Sequence, residues 1–216
     1  MPPQNTASES HLFIKGGSLF DPDLGRMRPV GAITVMGDRV VEVCPPGGVL
    51  VPPAGVTVIE AEGKWIIPGL IDAHVHLVHV LRDLGITGDE VFPLFLTNGI
   101  TTLRDVGDEL TAQKVLVKHS EDHPESSPRL FMSSPLIEGA HPYHAFVSES
   151  LTDVDQVPEF IREMDRAEVQ TIKLYTSVGR SVGRAVIREA HRHGKWVTAH
   201  LQWGYRAQDA IADGGG

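Results

Sequence analysis

The sequence predicts an α/β protein, in which a short all-β module precedes a parallel sheet built from βα units. The first observation behind this is a change of period at Pro68. Before it, short apolar runs are broken by glycine and proline; after it, strand-like runs alternate with amphipathic helical stretches. That alternation is the sign of βα units around a parallel sheet. The second observation is the phrase at the boundary, Pro68-Gly69-Leu70-Ile71-Asp72-Ala73-His74-Val75-His76. Successive strand side chains point to opposite faces, so His74 and His76 share one face. Neutral imidazoles at that spacing can grip one metal ion together.

The elements follow in order. Residues 1–10 are polar and proline-bearing and read as a loose tail. Residues 11–67 read as the β module. Leu12-Phe13-Ile14 runs into Gly16-Gly17. Ala32–Met36 and Arg39–Val43 flank Gly37-Asp38, a hairpin with a tight two-residue turn. Pro45-Pro46-Gly47-Gly48 and Pro52-Pro53 break the chain. Val56–Ile59 and Lys64–Ile67 then flank a turn at Glu62-Gly63.

Residues 68–216 read as five βα units. The strand runs are Leu70–Leu77, Ile100–Arg104, Arg129–Ser133, Thr171–Tyr175 and Trp196–Leu201. The helices are expected near Asp89–Asn98, Asp108–His119, Val157–Ala167, Val182–His193 and Tyr205–Ala212. The fourth ends at His193-Gly194, where glycine can take the left-handed cap position.

Composition narrows the function classes. The chain has 216 residues, 41% of them hydrophobic, enough to bury a core. Its formal net charge is −9 and it has no run of Lys or Arg, which argues against nucleic acid as a partner. No apolar run approaches membrane-spanning length. Cys44 is the only cysteine, so no internal disulfide is possible and a reducing compartment is expected. Met1 to Ser10 lacks a basic region and an apolar core, so it does not read as a signal peptide. The cytoplasm is the expected location and a small molecule the expected partner.

The phrase at residues 68–77 resembles the first-strand signature of the amidohydrolase superfamily, metal-dependent hydrolases built on a (β/α)8 barrel. Two later segments fit the same resemblance. Thr171-Ile172-Lys173-Leu174-Tyr175 is similar to the strand-four pattern whose lysine is carboxylated by carbon dioxide and bridges two metals. Trp196-Val197-Thr198-Ala199-His200 is similar to the strand-five pattern whose histidine binds the second metal. Thr101–Asp105 and Ile172–Tyr175 look like the imidazolonepropionase and prolidase-like branch. The resemblance therefore implies a metal set of His74, His76, Lys173 and His200. It implies one or two divalent ions, zinc foremost, and a lysine carbamate.

The implied reaction is hydrolysis of a C–N bond in an amide, a dipeptide or a cyclic amide, through a metal-bound hydroxide. The implied fold is a TIM-type (β/α)8 barrel beside a β-sandwich of which residues 11–67 supply part. A closed barrel needs eight strands and typically about 250 residues. Five units read as an incomplete barrel, the N-terminal part of a longer protein. The family also expects a histidine on strand six and a proton-moving aspartate on strand eight. Both are expected beyond Gly216, so no catalytic residue is named and this chain alone is expected to be a poor hydrolase. The resemblance leaves homo-oligomerisation of the full-length form open.

Other residues carry smaller expectations. His141, Tyr143 and His144 follow the third strand on a loop expected to overhang the site, and with Tyr175 they are candidate substrate contacts. His79 is a candidate for the entrance, and Asp105 for a structural hydrogen bond. His119, at a helix end, and His123, in the Glu121–Pro128 loop, are read as solvated, and His191 and His193 as last-turn residues whose partial positive charge favours the helix dipole. Two rival functions stand beside the leading one. One is a non-catalytic chain or half of a split assembly. The other is a mononuclear-metal deaminase of the same superfamily.

Overall fold

The computed structural model describes residues 11–48, 50–52 and 54–214. The tail expected at residues 1–10 lies outside them, as do Gly216 and the catalytic aspartate expected beyond it. Contacts divide the chain into two compact units between Pro68 and Gly69.

The first unit holds β1 (His11–Lys15), β2 (Ser18–Asp21), β3 (Arg26–Pro29), β4 (Ala32–Met36), β5 (Arg39–Cys44), β6 (Thr57–Glu60) and β7 (Trp65–Ile66). They form two short sheets, ordered β5-β4-β1-β6 and β3-β2-β7. The expected hairpin is β4 and β5, with Gly37 at φ 57° in the turn. That left-handed backbone suits glycine, which has no Cβ to clash. Phe13, Ala32 and Cys44 are the buried centre, with Leu50 and Val56 against them. The β2–β3 hairpin has no clear mark in the sequence. Its strands read Ser-Leu-Phe-Asp and Arg-Met-Arg-Pro, with too little apolar alternation to announce a strand.

The second unit holds β8 (Leu70–Val75), α1 (Leu77–Leu84), α2 (Gly88–Thr97), β9 (Ile100–Asp105), α3 (Leu110–Asp122), β10 (Arg129–Phe131) and β11 (Ser133–Glu138). It continues with β12 (Ser148–Ser150), α4 (Val157–Arg166), β13 (Thr171–Leu174), α5 (Arg180–Arg192), β14 (Trp196–Ala199) and α6 (Ala207–Ala212). All of its strand pairings are parallel. The strands fall into two sheets, β10-β9-β8 and β12-β11-β13-β14.

Three expectations need correction. The first strand does not reach Leu77: it stops at Val75, and α1 begins where strand was expected. The third strand, expected as one run over 129–133, is two strands on either side of Met132. Pro135 has no N–H to give the ladder, and the β11–β13 register shifts between Ser133 and Leu136. The Ser134 hydroxyl accepts from the Lys173 N–H there, at 2.9 Å. The break is why the described parallel strands make two sheets rather than one continuous barrel wall. Last, Tyr175 and His200 sit just past β13 and β14 rather than inside them.

Packing decides which face each strand presents. In β13, Ile172 and Leu174 join the apolar cluster that Phe160 and Ile161 of α4 and Val186 and Ile187 of α5 build. Alternation then turns Lys173 to the other face. A second cluster joins Leu77 and Leu81 of α1 to Phe92, Leu103 and Leu130. α2 opens on Thr87, whose backbone N–H donates to the Glu90 carboxylate at 2.7 Å, and α5 closes at His193 with Gly194 at φ 66°. No helix among the described residues is long and apolar enough to cross a membrane.

Candidate metal centre

Three parallel strands of the second unit end in the residues that matter. β8 carries Asp72 and His74 and hands on to His76 just past its end, and the His74 and His76 rings lie 5.3 Å apart. His76 leaves the strand with extended backbone and occupies the cap position of α1, but its side chain makes no capping bond. The first amides of α1 are satisfied from β9 and the turn after it. Leu77 N–H donates to Asp105 Oδ2 at 2.9 Å and Val78 N–H to Asp108 Oδ2 at 3.0 Å. Asp105 is thus the structural hydrogen-bonder expected of it. Gly107, at φ 117°, bends the chain between these aspartates. A Cβ there would come within 2.1 Å of Leu136, so only glycine fits.

Lys173 arrives from β13. It is fully buried, and its Nζ has no hydrogen-bond partner. Desolvation foremost, and then the Arg104 guanidinium, pulls its pKa down to about 8. His76 is lowered to about 4, by desolvation first and then by the charges of His79 and Lys173. His74 is lowered by desolvation, then by Lys173, Arg104 and His200. His74 therefore lies near enough to feel the charges of Lys173 and His200, and His76 those of Lys173 and His74. His200 follows β14, donates its backbone N–H to Leu174 O at 3.1 Å, and sets its ring 5.3 Å from Tyr175.

The candidate substrate contacts separate into two groups. Tyr143, His144 and Tyr175 form a chain of rings, with centroids 4.8 Å and 5.8 Å apart. Lys173 Nζ lies 5.9 Å from the Tyr175 ring. His141, on the same loop, is exposed and outside that chain of rings. Of the outlying histidines, His119 differs from expectation. It is half-buried, stacked on His123 at 4.5 Å and packed near Phe92.

Sequence reasoning missed Glu138. It ends β11, is fully buried, and accepts from Tyr143 N–H at 2.5 Å and from the Ser177 hydroxyl at 3.1 Å. Gly139 N–H donates to the same Ser177 oxygen at 3.0 Å. One carboxylate thus clasps the loop after β11 to the loop after β13. The signal was there: an acidic residue closing the apolar pair Leu136-Ile137, just before a glycine.

The donors fit a divalent ion. His76 Nδ1 and Lys173 Nζ are buried nitrogens without partners, which is costly unless something occupies them. Histidines held below their ordinary pKa are neutral at pH 7, the form that binds metal. Among the described residues, His76, His79 and Asp108 also bring one donor atom each within 4.8 Å of one another.

A model of the amidohydrolase family matches residues 65–216. The chain belongs to that family. A dihydroorotase of Pelotomaculum thermopropionicum is 41% identical over 66 residues, 31% of this chain and 14% of that protein. An adenine deaminase of Rubrobacter xylanophilus is 31% identical over 99 residues, 46% of this chain and 16% of that protein. A putative prolidase from Bifidobacterium longum superimposes with a TM-score of 0.74 at 24% identity, over 95% of this chain and 53% of that one. At that identity the likeness is one of fold. This amidohydrolase chain spans about half the solved prolidase, and its matches take in far less of the two curated relatives.

Proposed function

We propose that His74, His76, Lys173 and His200 hold a divalent-metal centre, zinc foremost, that hydrolyses a C–N bond of a small amide, dipeptide or cyclic amide. The observation that carries this is the buried, unpartnered Lys173 amine whose charge reaches both His74 and His76. In this reading β8, β9, β10 with β11, β13 and β14 are successive strands of a (β/α)8 barrel, and the protein works in the cytoplasm. A bound ion would make a water acidic near neutral pH and polarise a carbonyl.

The chain's own residues do the rest. A lysine with a pKa of about 8 is free amine in roughly one molecule in ten at pH 7. That amine can attack the carbon of carbon dioxide, lose a proton to water and become a carbamate, a carboxylate-like oxygen donor. Burial and the nearby Arg104 guanidinium both disfavour the ammonium. Tyr143, His144 and Tyr175 wall the substrate on one side, and His141 stands at the mouth. The dihydroorotase and prolidase relatives support hydrolysis of this kind. The adenine deaminase relative favours a second reading, a deaminase with a single ion.

Zinc titration of the metal-stripped chain, with and without bicarbonate, tests both. Two equivalents bound, with a carbamate carbon visible by NMR from labelled bicarbonate, is the expected result. One equivalent regardless of bicarbonate selects the deaminase reading. His74→Ala or His76→Ala should abolish tight binding, while His191→Ala, at the exposed end of α5, should leave it intact. Unchanged affinity in His74→Ala and His76→Ala would sink the centre.

A further inference from the structure

His79 lies one residue past the first two positions of α1, with its ring 5.3 Å from that of His76. Its Nδ1 is 3.0 Å from Asp108 Oδ1. Asp108 is fully buried and also accepts the backbone N–H groups of Val78, at 3.0 Å, and His79, at 3.3 Å. A carboxylate that takes three N–H donors at once has little left to offer an ion, so Asp108 is poorly suited to be a ligand itself. It accepts and does not donate, so the His79 proton sits on Nδ1. The lone pair is then on Nε2, at the far side of the ring. A carboxylate that holds one imidazole nitrogen and leaves the other free is the support that metal-binding histidines need.

Three further observations place a cation beside that ring. One donor atom from each of His76, His79 and Asp108 lies within 4.8 Å of the other two. His76 Nδ1 is buried without a partner. Phe146 stands edge-on to the His79 ring at 6.2 Å and packs against it on one side.

We propose that His79, oriented by Asp108, is a further metal-binding residue that engages a divalent cation together with His76. The inference rests on the metal centre proposed above and adds an imidazole from α1 to its four residues. Asp108 is the positioning residue.

Nitrogen NMR of the metal-stripped chain with labelled histidine, before and after zinc, reads this directly. The expected result is a coordination shift of His79 Nε2 alongside shifts of His74 and His76, with the His79 resonance assigned by its loss in His79→Ala. Shifts confined to His74 and His76 would overturn the proposal while leaving the centre standing. No shift in any of the three would overturn both.

Zinc affinity is the second readout. Asp108→Asn puts an amide N–H against Nδ1, which moves the ring proton to Nε2 and blocks the lone pair. Losing such a partner should weaken zinc binding about 10–100-fold, and His79→Ala should weaken it at least as much. Metal-free His79→Ala should melt somewhat below the parent, because buried Asp108 loses a donor, so the zinc affinity decides. A lower melting temperature with unchanged zinc affinity would mean that the pair only braces α1.

Discussion

β8 and β13 carry the same kind of cargo under opposite conditions. β8 is the edge of its described sheet, and Leu70, Ile71, Ala73 and His74 along it are exposed. β13 lies between β11 and β14, and all four of its residues are buried. The difference shows in proton affinity. His74, on the open strand, is lowered, and His76, half-buried just past its end, falls to about 4; Lys173, on the flanked strand, falls from 10.5 to about 8. An edge strand presents imidazoles, which are already neutral near pH 7 and only become more so. A flanked strand can turn a cation into an amine, because neighbouring strands keep water away from it.

The comparison can be broken by substitution. The largest effect is expected at Ile172, fully buried among the α4 and α5 side chains. Ile172→Ala should cost about 2–5 kcal/mol in urea unfolding. A cost under about 1 kcal/mol would mean that β13 is not the packed element described here.

Lys173→Met comes next and tests the electrostatic half. A base whose folded pKa is lowered binds its proton less tightly when folded. It therefore penalises stability fully below pH 8, less between pH 8 and 10.5, and not at all above. A drop from 10.5 to about 8 is worth roughly 3 kcal/mol. Metal-free Lys173→Met should be more stable than the parent by about that much at pH 7, and the gap should close between pH 8 and 10.5. A gap independent of pH would sink the explanation.

Glu138→Gln should cost about 1–3 kcal/mol, since an amide oxygen replaces a charged acceptor in a fully buried clasp. Heteronuclear relaxation of residues 140–147 should show the loop loosening. The smallest effect belongs to Ile71→Ala on the open strand, where 67% of the residue is exposed. It should stay within about 0.5 kcal/mol of the parent. A larger loss would show that β8 is covered in solution, and the contrast with β13 would fall.

The two strands were not equally legible in the sequence. His74 and His76 were easy because alternation puts them on one face and Pro68-Gly69 marks where the strand starts. Lys173 and His200 were reachable because apolar runs mark their strands and the segments resemble the strand-four and strand-five patterns of the amidohydrolases. α1 was invisible as a helix. His76 is a poor cap, and the groups that satisfy the helix start are Asp105 and Asp108, about thirty residues away. A cap supplied from that distance leaves no local trace. Glu138 was hidden for another reason: Pro135 made its strand read as finished at Ser133. His79 was noticed, but nothing near it in the sequence announces that Asp108 holds its ring.

The distant cap also sets an order of events as the chain folds. The amides of Leu77, Val78 and His79 find their acceptors only once residues 105–108 have come alongside. A helix of eight residues is too short to persist alone in water. α1 therefore has to wait for β9, although it comes first from the ribosome. Those three amides should exchange with solvent at the rate of the β9 strand as a unit, and not with the later turns of their own helix.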